Sequence, residues 1–200
     1  RSAGGCVKHR DPSAVEPGSE FLRHQAEVAQ AVSGKQELSV NVGLNRTTDD
    51  PLTPREVIQV YKLREADAES SARHIRGQVD LAALAMRYHD TALHQKHRPF
   101  DAQAGHLFDA LEQVRLEAVG VSQFPGMRSN LEQRHAVAFE LNGYDRQSQS
   151  AIALPDVVAM IAREAIMGAP PPPAIARLVE TMRPWVEEVA LPHIGKLGAA

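Results

Sequence analysis

The chain has 200 residues, a formal net charge of −3 and a sequence pI near 6.3, which gives no electrostatic basis for binding nucleic acid or an anionic membrane. Its single cysteine, Cys6, excludes an internal disulfide framework and a cysteine metal cluster. Hydrophobic residues make up 43% of the chain but aromatics only 4%, a balance that suits closely packed, Ala-rich helices better than a β-sandwich. No apolar run approaches the ~20 residues needed to span a bilayer. The opening residues also lack the apolar segment of a signal peptide, so the expected compartment is the cytoplasm.

Residues 1–18 are Gly, Pro, Ser and charge without periodicity, and are expected to be a disordered tail. The start without Met points to a trimmed N-terminus. Ser19 opens a helix whose apolar face is Phe21, Gln25, Val28, Ala29 and Val32, and Ser33-Gly34 ends it. In QELSVNVG, Gln36 to Gly43, Leu38, Val40 and Val42 alternate with polar residues, the period of a half-buried strand. A lone strand needs a partner, and EVIQVYKL, Glu56 to Leu63, supplies one, so the pair reads as a β-hairpin. The alternative is a capping box, Thr53-Pro54-Arg55-Glu56, opening a helix.

A long helix is predicted over about Ala66 to Asp90, with Ile75, Val79, Ala82, Ala83 and Met86 on one stripe and a break available at Arg76-Gly77. YHDTALHQKHRP follows as a His-rich connector closed by Pro99. Asp101 is a good N-cap for the next helix, which Gly120 is placed to end. Phe108, Leu111, Ala118 and Val119 share its predicted core stripe. Arg115 lies four residues from both Leu111 and Val119, so a charge falls on or beside that stripe, flanked by Glu112 and Glu117.

Ser129 and Glu132 have capping-box spacing for a helix to about Asn142 with Leu131, His135, Ala138 and Phe139 on one face. The polar loop YDRQSQS leads to Pro155 at the start of another helix, lined by Val157, Val158, Ile161 and Ala165 and ended by Gly168. Pro170 to Pro173 form a rigid spacer. The last helix starts near Pro173 with Ile175, Leu178, Val179 and Met182 as its apolar face, and Pro184 is expected to kink or break it. The sequence stops at LGAA within a helical pattern, as a fragment of a longer protein would. The fold class is therefore mainly α: a multi-helix domain with a small two-stranded β-hairpin near the N-terminus. Within one domain over 19–200, residues 19–65 hold the first helix and hairpin, 66–168 the helical core, and 169–200 the proline spacer and kinked C-terminal helix.

Few patterns carry chemistry. Glu132-x-x-His135 has the spacing that di-iron bundles use, but those sites need a second copy and further glutamates. His94 and His97 are three apart, with His89 and Asp90 nearby, and HExxH is absent; the plainer reading leaves His94 and His97 facing solvent. G-x-S-x-G, GxxxxGK[ST] and GxGxxG are also absent. Asp145-Arg-Gln-Ser148-Gln-Ser150 only approximates the D-x-S-x-S metal signature and reads as a polar loop. No catalytic, cofactor-binding or metal-ligating residue is therefore assigned. Glu112, Arg115 and Glu117 remain as a solvated face, a buried ion-pair network, or a contact to another subunit. A metal-binding helical protein using Glu132, His135, His89 and Glu112 is one rival functional class, and a general interaction module is another.

FDALEQVRLEAVG, Phe108 to Gly120, resembles the motif F-D-A-[VL]-E-Q-x-R-x-E-A-[IV]-G of the CobT-type subunit of the aerobic cobaltochelatase. The likeness extends in order through FLRHQAEVAQAVSGKQELSVNVG, MRYHDTALHQKHRP, FPGMRSNLEQR and GAPPPPAIARLVETMRPWVEE, covering about Glu20 to Ala200. The resemblance implies a part in ATP-driven insertion of cobalt into hydrogenobyrinic acid a,c-diamide, in a complex using ATP, magnesium and cobalt. It implies a CobS-type AAA+ ATPase and a CobN-type large subunit as partners, and a homo-oligomer within a ring assembly. The family's acidic linker and its von Willebrand A domain with a D-x-S-x-S site have no counterpart in these 200 residues, so no residue of that site carries over. The expected role is assembly with the ATPase rather than catalysis by this chain alone.

Overall fold

A computed structural model describes residues 17–43, 51–53, 55–61, 68–144 and 154–189. They form seven α-helices, two short strands and a 3-10 turn. The expected tail lies outside them except for Pro17 and Gly18. Both already belong to α1 (Pro17–Ser33), where proline's missing N–H is harmless in the first turn. Gly34, at φ 74°, closes α1 as expected. Gln25, Ala29 and Val32 are buried, whereas Val28 faces solvent and Ala26 takes its place in the core.

The strands β1 (Ser39–Val42) and β2 (Val57–Val60) pair as anticipated, but in parallel, with Ser39 opposite Val57 and Val42 opposite Val60. The pair is thus not a hairpin. A parallel pair needs a crossover on the order of a dozen residues, and the link from Gly43 to Glu56 is long enough to carry the chain back to the same end. The strand alternative thus prevails over a helix at Val57. Val40, Ile58 and Val60 face inward against the first two helices.

The helix α2 (Ala68–Tyr88) runs unbroken through Gly77. A Cβ on Gly77 would overlap the carbonyl oxygen of Asn130 and lie 2.8 Å from Cβ of Arg134, so glycine is what lets α2 meet α5 (Arg128–Leu141) backbone to side. The presumed connector after it is a helix, α3 (Thr91–His97), because Asp90 accepts a hydrogen bond from the Leu93 amide as its N-cap. Arg98 precedes Pro99 and is extended, which ends α3.

Asp101 caps α4 (Ala102–Gln123) through the Ala104 amide, as expected. Gly120 does not end it. The residue is helical, and a Cβ there would run into the side chain of Leu84 on α2, so its role is close approach rather than a left-handed turn. The buried positions of α4 are Gly105, Val114, Leu116, Glu117 and Gly120, while Phe108, Leu111, Ala118 and Val119 are only half-buried. The 3-10 turn Pro125–Met127 runs directly into α5, whose N-cap Met127 makes no side-chain bond, so the Ser129/Glu132 capping box does not form. Gly143, at φ 70°, closes α5. The helix α6 (Leu154–Met167) ends at Gly168, at φ 65°.

The last helix, α7 (Pro173–Val189), starts where expected but passes Pro184 without ending. Both Pro184 and Glu180, whose carbonyl loses its helical partner, are exposed residues.

Two apolar cores result. One joins α1, both strands and α2 to Leu116 of α4 and Leu131 of α5. The other joins α6 and α7 to Val114 of α4 and Phe139 of α5. Each fully buried Leu or Ile stabilises the fold by ~1.5–3 kcal/mol. The helices α4 and α5 therefore form the wall between the cores.

Candidate functional site

The charged residues of α4 are held from three sides, because each lies where another helix ends or crosses. Glu112 is mostly buried. Its Oε1 accepts from Nδ1 of His89 at 2.8 Å and from Nη2 of Arg115 at 2.7 Å, and its Oε2 accepts from Nε of Arg115 at 2.7 Å. His89 follows the last residue of α2, and its side chain is only 1% exposed. Arg115 also donates from Nη2 to the Tyr88 carbonyl at 2.9 Å, satisfying an orphan acceptor at the C-terminus of α2. Burial pushes Glu112 up, but Arg115 and His89 outweigh it and hold the carboxyl below its ordinary range. Hydrogen bonding to Glu112 raises Arg115 further.

One turn earlier on α4, Asp109 accepts from Nε2 of His94 at 2.9 Å and from Nε and Nη2 of Arg98, each at 2.8 Å. The Arg98 guanidinium crosses the first turn of α4 over Gly105, where a Cβ would stand 2.7 Å from it. Burial raises Asp109, and Arg98 with His94 reverses the shift. His94 is therefore not the solvent-facing residue expected of a connector, whereas His97 is exposed. The rings of His89, His94 and Phe108 pack in series, with centroids 4.8 Å and 4.7 Å apart.

Glu117 points the other way, between the two cores, and is 1% exposed. It accepts from Nε of Arg163 on α6 and from Nε2 of His135 on α5, both at 2.7 Å, with Arg134 at 3.8 Å. Burial pushes the Glu117 carboxyl up, but His135, Arg163 and Arg134 outweigh it, so it is held below its ordinary range and stays ionised. Burial lowers His135, against the pull of the Glu117 carboxylate.

The three residues singled out in the sequence thus fall into two groups. Glu112 and Arg115 pair with each other, and Glu117 belongs to a separate knot; every partner described lies within the same chain. Glu132 and His135 do not converge: Glu132 is half-buried near Arg128, 3.9 Å away, and His135 faces Glu117. The segment 145–150 lies outside the described residues. Sequence reasoning missed Asp109, Arg98 and Arg163. Only the Asp90 N-cap and the pre-proline Arg98 offered a local signal, since the contacts of Arg163 depend on a helix far along the chain.

The sequence model of the family described as "Cobalamin biosynthesis protein CobT" matches residues 16–200. The chain belongs to the CobT family. The match spans every described element and places the chain in cobalamin biosynthesis. No solved structure matches it. Within this CobT chain the motif from Phe108 to Gly120 carries the central residues of three charged groups: Asp109, Glu112 with Arg115, and Glu117 all lie on it. Among the described residues no helix is long and apolar enough to cross a membrane.

Proposed function

We propose that this chain is the helical region of the CobT-type subunit of an aerobic cobaltochelatase and acts by assembling with a CobS-type AAA+ ATPase. On this reading a CobN-type large subunit holds the corrinoid, Co²⁺ is the substrate inserted into hydrogenobyrinic acid a,c-diamide, and ATP and magnesium are used by the ATPase. Support comes from the family match over residues 16–200. A second consideration is structural: charged side chains of the motif helix tie it to neighbouring helices, as a scaffold element does.

The test is reconstitution. The purified chain is expected to hydrolyse no ATP and to insert no cobalt by itself, yet to co-purify with the CobS-type subunit as an oligomeric ring assembly. ATP turnover by the isolated chain, or failure to associate with the ATPase, overturns the role.

A further inference from the structure

Three donors meet where α2, α3 and α4 converge. His89 lies just past α2, His94 in α3 and Glu112 in α4, and one ligand atom from each lies within 4.8 Å of the others. We propose that His89, His94 and Glu112 form a binding site for a divalent first-row transition ion of the Zn²⁺ or Co²⁺ class.

The donor set chooses the ion. Two imidazoles and one carboxylate suit borderline cations, whereas Mg²⁺ and Ca²⁺ prefer all-oxygen shells. Three protein ligands leave one position of a tetrahedron for water or a delivered group. Bonds of ~2.0–2.1 Å bring tetrahedral ligand atoms to roughly 3.3–3.4 Å from one another. Closing around an ion therefore asks for side-chain adjustments on the order of 1 Å, with His89 and Glu112 parting slightly from their 2.8 Å hydrogen bond. The ion takes the place of the proton that these two now share.

The surroundings are those of a ligand set held in place. Metal-binding histidines usually donate their other N–H to a carboxylate, and His94 gives Nε2–H to Asp109, which leaves Nδ1 for the ion. Asp109 is itself held by Arg98, and Glu112 is oriented by Arg115. His89 and His94 are both largely withdrawn from water, with Phe108 stacked on His94. The two guanidiniums also set a limit: they offset the carboxylate charge, so the ion is held exchangeably. Because the helices already interlock through hydrogen bonds, removing the ion leaves the chain folded. The site stands independently of the proposed cobaltochelatase role.

Titration of the chelator-treated chain with Co²⁺, followed by its visible ligand-field absorption, tests the site. The expected result is one equivalent bound with tetrahedral bands, displaced by Zn²⁺ and not by excess Mg²⁺. Asp109→Asn should weaken binding by ~10–100-fold, as loss of an outer partner does, and His94→Ala by more. His97→Ala and His106→Ala, at exposed histidines, should bind as the parent does. Circular dichroism of each variant shows whether it is folded. Should His94→Ala fail to fold, imidazole NMR of the unmodified chain decides: Zn²⁺ must move the ring signals of His89 and His94. No stoichiometric binding, binding that survives His94→Ala, or movement confined to other histidines overturns the site.

Discussion

His74 and Asp80 are both buried on α2 and titrate in opposite senses. Among the described residues neither ring nitrogen of His74 has a hydrogen-bond partner. Burial, with Arg134 adding to it, lowers His74 to about 4 from 6.5. Burial raises Asp80 to about 6 from 3.8, against the Asn130 hydrogen bond and Arg76. Between these values the unfolded chain binds the proton at His74, so stability falls as pH drops from 6.5 toward 4. At Asp80 the folded chain binds it, so stability falls as pH rises from 3.8 toward 6. At 1.36 kcal/mol per unit each effect is at most about 3 kcal/mol, and in the parent they largely cancel. His74→Phe should therefore gain stability on mild acidification relative to the parent, and Asp80→Asn should lose it. Urea unfolding across that window checks this, and parallel profiles for the two variants would refute it. Little of this was legible in the sequence. His74 lies beside the predicted α2 stripe, but its isolation depends on Tyr61, 4.7 Å away ring to ring, and on a helix far along the chain.

At the scale of elements, close approach matters more than turn chemistry. A methyl group at Gly77 meets the backbone of α5, which cannot move without separating the helices, whereas one at Gly120 meets the flexible end of Leu84. Gly77→Ala should cost ~1–3 kcal/mol and more than Gly120→Ala; thermal melts of the pair decide, and the reverse order would sink the account. Signals carried by local geometry were readable: the Asp101 cap, the glycines after α1, α5 and α6, and most of the α2 stripe. The hydrophobic pattern of α4 was misleading because the helix serves two cores, Val114 facing one and Leu116 the other, so no single stripe marks its buried face. Strand direction was hidden too, since period-two alternation is the same for parallel and antiparallel pairs. Only the path of the link between the strands distinguishes them.

For the whole molecule, the knot at Glu117 ties the wall between the two cores to α6. Removing one member of a buried ion pair strands the other, and here Arg163 is 3% exposed. Glu117→Ala should cost ~3–5 kcal/mol in chemical denaturation, whereas Arg115→Ala, at a partly exposed pair, should cost about 1 kcal/mol. A loss below about 1 kcal/mol at Glu117 would show that the knot contributes little.

Among the described residues, two further arginines act as Arg115 does. Arg87 donates to the Val32 carbonyl at the end of α1 at 2.7 Å, and Arg128 to the Met167 carbonyl at the end of α6 at 3.1 Å, as Arg115 does for Tyr88. The ends of α1, α2 and α6 are thus each held by a residue from another helix in addition to the closing bonds of their own sequence. Helix ends ordinarily fray, and their amides exchange with solvent through local opening. Here opening an end also breaks a contact between helices. The last-turn amides of α1, α2 and α6 should therefore exchange at rates set by opening of the helix pair rather than of the terminus alone.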